Sequence, residues 1–187
     1  MKLLKNQGSE RVIDELRASL TSGGGLDAAS PALSLFAFGE LRHALRRLAI
    51  SRLVLPSAQV DAQALLGSDL DRGYRNQLNA HKLARDLAEW LRKSVEVKSA
   101  PGLLPQATLV AKDADGTPAK VISGHCALTT DGLGTTPANQ FSLVQATETS
   151  EECQLLSGWF TQLWNSLPAS TDGKDTLLAL LGELAAH

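Results

Sequence analysis

The sequence predicts an α/β (α+β) domain in which a mixed β-sheet is flanked by helices. Apolar segments at residues 26–32, 52–55 and 106–112 have the length of strands, and longer segments with helical apolar spacing lie between several of them. Residues 26–55 run strand, helix, strand, which implies a parallel pair. The turn signal at residues 113–116 then implies an antiparallel hairpin, so the sheet must be mixed.

The first half of the chain supplies the β-α-β unit. Apolar residues at helical spacing predict a helix over residues 12–20, which the glycines at residues 23–25 end. A strand is expected at residues 26–32. Phe38, Leu41, Leu45 and Leu48 form the apolar side of a second helix, and the strand at residues 52–55 ends at Pro56. A short helix is expected near residues 61–66.

The second half adds long helices and the hairpin. Residues 76–93 predict the strongest helix, with Leu83, Leu87, Trp90 and Leu91 on its buried side. Strands are expected at residues 95–97, 106–112, 119–124 and 141–146. Helices follow at residues 151–167 and 177–186, separated by a break at residues 168–173. Residues 1–168 are therefore assigned to one domain and residues 169–187 to a C-terminal helix, which packs on that domain or leads to a partner.

Composition narrows the classes of function. The chain has 187 residues, 43% of them apolar and 20% charged, which is typical of a globular domain. Its net charge of -2 excludes a polycation, so nucleic acid would have to bind a local basic patch.

The two cysteines, Cys126 and Cys153, lie far apart in the sequence. This spacing predicts neither a disulfide framework nor a metal site. No secretory signal or membrane span is predicted, so a cytoplasmic protein without membrane contact is expected. No cofactor is expected either.

Five segments together resemble a known family. They are residues 2–16, residues 26–38, the helix and strand of residues 83–97, residues 124–134, and residues 159–165. In order and spacing they resemble the phospholipase-D-like (HKD) domain at the N-terminus of bacterial Swi/Snf-type superfamily-2 helicases. The resemblance implies a single phospholipase-D-like half, and active members with one half build their site by homodimerisation.

The residues that carry this family's chemistry are missing. The family uses a histidine that attacks phosphorus and a lysine two residues later that holds the phosphate oxygens. In this alignment the two positions fall at Pro105 and Ala107. The usual Ser-Ser-Asn of the second block is replaced by His125, Cys126 and Ala127, whereas Gly124 and the following Leu-Thr are kept. The resemblance therefore implies a degenerate, catalytically inactive site.

Three alternatives for catalysis stay open. His125 is the candidate catalytic residue of a nuclease or phosphodiesterase with a relocated site, against the simpler interpretation of a partly buried histidine near a strand end. Cys126 is either a reactive thiol or a small buried strand residue. A shifted alignment would bring in Lys112, but Val110 stands where the histidine should be.

Basic residues on two predicted helices are the candidate nucleic-acid contacts. Lysine and arginine dominate sequence-independent contact with phosphates. The candidates are Arg42, Arg46, Arg47, Arg75, Lys82 and Arg85, with Arg72, Arg92 and Lys93 nearby. Glu40, Asp86 and Glu89 lie between them, so a merely solvated surface is the other interpretation.

The sequence thus favours an inactive phospholipase-D-like domain that binds nucleic acid or docks a protein in bacterial DNA processing or anti-phage defence. Expected partners are DNA, a helicase or other defence protein, and a second copy of the chain. A nuclease centred on His125 and a purely structural dimerisation module are the alternatives.

Overall fold

A seven-stranded mixed sheet forms the centre of the protein in a computed structural model, which describes residues 1–57, 60–74 and 77–186. The strands lie in the order β1-β7-β6-β5-β2-β3-β4. Their bounds are β1 (Lys2–Leu3), β2 (Gly25–Ala29), β3 (Ser51–Pro56), β4 (Val95–Ala100), β5 (Ala107–Lys112), β6 (Pro118–Gly124) and β7 (Val144–Ala146). β2, β3 and β4 pair in parallel, and the pairs on the other side of β2 are antiparallel.

Most helices cover one face of the sheet and enclose the larger core. The helices are α1 (Val12–Ser19), α2 (Leu35–Arg46), α3 (Ala62–Leu65), α4 (Gln77–Ser94), α5 (Thr130–Leu133), α6 (Ser150–Ser166) and α7 (Asp172–Ala186). Ser34 starts α2, because its hydroxyl accepts a hydrogen bond from the Ala37 amide. α2 packs beside α4, and α7 packs on α4 and β4 through the buried Leu177 and Leu181. The C-terminal helix is thus part of the layer that buries this face.

The opposite face is covered by α6. Thr149 and Glu152 form a reciprocal capping box at its start. Phe160 and Trp164 pack on a second, smaller core with Val54, Val110 and Val121. The Arg52 guanidinium lies 5.2 Å from the Phe160 ring centroid and 5.3 Å from that of Trp164. Cation–π contacts therefore add to apolar packing in holding α6 on the sheet.

The predicted fold class is confirmed: the sheet is mixed and flanked by helices, and β2-α2-β3 forms the expected parallel pair. The bounds differ in places. The sequence predicted no strand at β1, no helix at α5 and no 3₁₀ helix at Asp69–Tyr74. β7 begins at Val144 rather than at Phe141, and α7 begins five residues earlier than expected, at Asp172. Within the described residues, no helix is long and apolar enough to cross a membrane.

Candidate nucleic-acid interface

The outer surface of α2 and α4 carries a surplus of positive charge. Together with Arg47, the two helices have seven basic and three acidic residues, a net charge of +4 in a chain of net charge -2. The two helices lie side by side, so the two stretches that sequence reasoning treated separately form one surface. We call the outer surface of α2 and α4, together with Arg47, the basic face.

Every acidic residue of the basic face is already paired. Asp86 binds both Arg42 and Arg46 at 3.0 Å, one arginine on each carboxylate oxygen. Arg17 of α1 lies 3.3 Å from Glu40, and Lys93 lies 2.7 Å from Glu89. The three acidic residues were the reason to consider a merely solvated surface. Each of them already binds a neighbouring cation. Arg42 and Arg46, both predicted phosphate contacts, are tied to Asp86 and join α2 to α4.

The remaining basic residues are exposed. Arg47, Lys82, Arg85 and Arg92 have no ion pair with any residue that the structure describes. On α4, Lys82 and Arg92 are ten residues apart, about 15 Å along the helix axis. These four side chains are the part of the basic face that can reach a polyanion. Of the other candidates, Arg72 is exposed 3.9 Å from Asp69, and Arg75 lies outside the described residues.

A groove lies on the other face of the sheet, beside α6. Thr108, Ser123 and Gln145 stand directly opposite one another on β5, β6 and β7. Ser123 is two residues from Val121, which packs under α6, so this row points to the α6 side. All three residues line an open groove of about 700 Å³. We call these three residues the polar row.

The polar row is bordered by apolar side chains. Leu143 directly precedes β7, and Leu156 and Trp159 belong to α6. Trp159 is 41% exposed, whereas Trp90 and Trp164 are buried. Trp159 therefore differs from the other two tryptophans in lying outside the core. Its indole is available at the edge of the groove.

Ser123 lines the groove, and its hydroxyl has no hydrogen-bond partner among the residues that the structure describes. Its Oγ is buried, and the residue as a whole is 7% exposed. Buried polar atoms in folded proteins are nearly always paired. An unpaired hydroxyl at the bottom of an open groove is the kind of atom that a ligand satisfies.

His125 lines the same groove and is exposed. Its Nε2 lies 3.9 Å from Asp131 Oδ2, and its backbone amide donates to Leu143 O at 2.9 Å. The described residues that line the groove include no lysine or arginine. A histidine nucleophile here would lack the neighbouring cation that stabilises phosphate oxygens.

Of the two expected catalytic positions, Pro105 lines the groove and Ala107 does not. Pro105 precedes β5 and is exposed, whereas the Ala107 side chain is buried in the larger core on the opposite face. The polar residues of this segment that line the groove are Gln106 and Thr108. A shift of the alignment by one residue would thus place Gln106 and Thr108, an amide and a hydroxyl, where the family has its histidine and lysine.

Cys126 is not poised for reaction. It is fully buried, and burial raises the pKa of its thiol to about 12. Only the thiolate is a good nucleophile, so the side chain stays protonated and unreactive near neutral pH. The interpretation as a small buried residue fits this environment. Cys126 and Cys153 are both free thiols.

The turn that follows β6 is held from three distant parts of the chain. The Leu128 amide donates to Ser30 Oγ at 2.9 Å, and Asn6 Nδ2 donates to Gly132 O at 2.9 Å. The Thr130 hydroxyl donates to the buried carboxylate of Asp71. These bonds fix the turn that carries His125 and closes one end of the groove.

Sequence reasoning missed most of the groove. Ser123 and His125 are two residues apart at the end of β6, as are Gln106 and Thr108 at the start of β5, and this spacing was the available signal. The alignment of Thr108, Ser123 and Gln145 comes from strand register, which the sequence does not show. In the part of the chain that the structure describes, no cluster of three or more His, Cys, Asp or Glu side chains is arranged to hold a metal ion.

Fold and surface together define an α+β domain with one basic helical face and one neutral groove. No protein-family model and no curated protein matches the chain. Nine chains of solved structures are similar to it. One is TrmBL2, an archaeal chromatin protein whose structure shows a novel mode of DNA binding, with a TM-score of 0.47 and 10% sequence identity. The match covers 91% of this chain and 52% of TrmBL2, so the chain spans about half the length of that protein. Similarity at this level assigns neither a family nor a function.

Proposed function

We propose that the protein is a nucleic-acid-binding module of phospholipase-D-like ancestry that has no phosphodiesterase activity. One observation carries the proposal: each acidic residue of the basic face is paired, while Arg47, Lys82, Arg85 and Arg92 are exposed without an acidic partner among the described residues. When exposed cations without an acidic partner in the protein bind phosphates, counterions are released from the nucleic acid, and this release favours binding. The basic face is therefore proposed as the contact with the backbone of DNA.

The charge pattern supports binding without sequence readout. The exposed stripe on α4 extends about 15 Å, which corresponds to four or five phosphates of one strand at 3.4 Å each. The cations lie on helices whose apolar sides are buried against the sheet, so the stripe is held rigidly. Long flexible side chains on a rigid face fit phosphate positioning rather than base recognition.

The chemistry of the groove supports the absence of phosphodiesterase activity. Gln106 and Thr108 are poor nucleophiles, and no lysine or arginine among the described lining residues would bind the phosphate oxygens. Incubation with single- and double-stranded DNA and with a chromogenic phosphodiester is expected to give no hydrolysis. Activity that is lost in His125→Ala would contradict this part of the proposal.

DNA binding is tested by its dependence on salt. Four phosphate contacts predict that log K falls against log salt with a slope of about -3 to -4. The double variant Lys82→Gln/Arg85→Gln is expected to make this slope shallower by about 2 and to weaken binding at low salt on the order of ten-fold. Fluorescence anisotropy with a labelled duplex measures both quantities.

The matched control is Lys2→Gln/Lys5→Gln, which removes the same charge from exposed positions outside the basic face. Its slope should equal that of the unaltered protein. Equal losses in the two double variants would show that net charge, and not the basic face, governs binding. No binding at low salt would reject the nucleic-acid proposal in favour of a structural or docking role.

The cellular setting belongs to the same proposal. The resemblance to helicase-associated domains supports a place in bacterial DNA processing or anti-phage defence, with a helicase or another defence protein as the partner. Leu178 and Leu184 of α7 pack against the larger core but stay partly exposed, so they leave some apolar surface on the helical layer.

A further inference from the structure

We propose that the groove beside α6 is a second binding site, one that takes an uncharged, planar nucleobase. The site lies on the opposite side of the sheet from the basic face. It is distinct in chemistry as well as in place, because the described residues of its lining include no lysine or arginine. It does not rest on DNA binding by the basic face.

The first step is the unpaired hydroxyl. Ser123 lies at the centre of the polar row, with Thr108 opposite it on β5 and Gln145 opposite it on β7. Its buried Oγ has no hydrogen-bond partner in the part of the chain that the structure describes. Leaving such an atom unpaired costs free energy, and a ligand that supplies the partner recovers it.

The second step is the character of the lining. The polar side chains are hydroxyls of Thr108 and Ser123, amides of Gln106 and Gln145, and the imidazole of His125. Hydroxyls and amides both donate and accept hydrogen bonds. Nucleobases present alternating donors and acceptors along an edge, and glutamine pairs with such edges in two contacts. A phosphate or carboxylate, by contrast, needs cations that the described lining lacks.

The third step is the shape. Trp159 offers a half-exposed ring at the groove edge, and Leu143 and Leu156 provide apolar surface beside it. Unpaired bases characteristically stack on aromatic side chains while their edges are read by hydrogen bonds. The volume of about 700 Å³ lies within the usual range for small-ligand sites, roughly 300–1,000 Å³.

A base can reach the groove from two sources, a free nucleoside or a single strand. The full-length protein is therefore titrated with adenosine, cytidine, guanosine and uridine, and separately with a short single-stranded oligonucleotide and its abasic counterpart. Quenching of tryptophan fluorescence reports stacking, since Trp159 is the exposed tryptophan of the three. Calorimetry confirms the affinity.

Saturable quenching by a nucleoside, or by the oligonucleotide but not by its abasic form, is the expected result. Ser123→Ala should weaken this binding about three- to ten-fold, as the loss of one hydrogen bond predicts. Its thermal midpoint should be unchanged or raised, because the hydroxyl that it removes is unpaired. A hydroxyl with a purely structural role would show the opposite, a lower midpoint and unchanged binding.

Two further variants make the test specific. Trp159→Leu keeps an apolar side chain and should weaken binding by about ten-fold or more through lost stacking. Ser166→Ala, at the exposed end of α6, should bind like the unaltered protein. Lys82→Gln/Arg85→Gln should bind nucleosides normally, so a failure of the basic face and a failure of the groove are told apart.

The proposal is overturned by any of three results. One is the absence of saturable binding by all four nucleosides and by the oligonucleotide at millimolar concentration. Another is binding that survives both Ser123→Ala and Trp159→Leu. The third is equal binding of the intact and the abasic oligonucleotide without nucleoside binding, which would assign the contact to the backbone.

Discussion

The two faces of the sheet use their cations in opposite ways. On the basic face, Arg47, Lys82, Arg85 and Arg92 are exposed after the local acids have been paired. On the α6 face, the cations serve the fold. Arg52 binds the buried carboxylate of Asp27 at 2.6 Å and lies over two aromatic rings.

The same holds for the lysines of the α6 face. Lys112 lies 3.0 Å from Asp27, and Lys98 donates to the carbonyls of Trp164 and Leu167 at the end of α6. The charges on this side are therefore concentrated under α6, away from the groove. The groove and the basic face lie on opposite sides of one small sheet and differ in charge. The net charge of -2 therefore says little about what each surface can bind.

The largest effect is expected from breaking the charge cluster under α6. Asp27→Asn would leave Arg52 and Lys112 close together without their shared carboxylate. Removing one partner of a buried ion pair costs about 3–5 kcal/mol. Neutralisation of Arg52 gives no relief, because a guanidinium keeps its proton in proteins even without a neighbouring carboxylate. Urea unfolding measures the loss.

The control for this variant is Asp14→Asn, which removes an exposed carboxylate that pairs with Arg11. Its cost should stay below about 1 kcal/mol. Equal costs for the two variants would show that the cluster under α6 is no more structural than a surface pair. Folded Asp27→Asn protein should still bind DNA, because the basic face lies on the other side of the sheet.

An intermediate effect is expected at the glycine beside the groove. Gly124 has φ of 114°, and an added Cβ would overlap the carbonyl oxygen of Leu143. Gly124→Ala should therefore destabilise the protein by about 1–3 kcal/mol from backbone strain, with further loss from displacing β7. Nucleoside binding in the groove should be lost, while the salt dependence of DNA binding stays the same.

Gly158→Ala is the matched control, since Gly158 is exposed in α6 with open space where the Cβ would stand. Alanine in a helix interior is expected to stabilise the protein by about 0.5–1 kcal/mol. Thermal unfolding followed by circular dichroism compares the two. Loss of DNA binding in Gly124→Ala would contradict the separation of the two faces.

Local patterns predicted the fold well, and distant pairing explains what they missed. The β2-α2-β3 unit follows from spacing within about thirty residues, and the hairpin of β5 and β6 follows from its turn residues. β1 has only two residues, and it is a strand because Lys2 and Leu3 pair with Ala146 and Gln145. No local pattern contains that information.

The candidate site divides in the same way. The exposed stripe of α4 could be predicted, because Lys82, Arg85 and Arg92 repeat with the period of the helix. The pairing of Asp86 with Arg42 could not, because 44 residues separate them. The polar row depends on register across three strands, and a one-residue slip in β5 would exchange Thr108 for Ala107.

The smallest of the expected effects lies on the basic face. Asp86→Asn would release Arg42 and Arg46 from their shared carboxylate while keeping the shape of the side chain. Two freed arginines should raise DNA affinity about two- to five-fold at low salt and steepen the salt slope by about 1–2. Stability should fall by about 1 kcal/mol, because the bridge between α2 and α4 is only half-buried.

Glu183→Gln, which removes an exposed acid from α7, changes net charge equally and should leave the slope unchanged. If Asp86→Asn bound DNA no better, either the two arginines would already contact DNA in the unaltered protein, or the basic face would not be the contact. In either case the contrast between the exposed cations of the basic face and the paired cations under α6 would no longer explain binding.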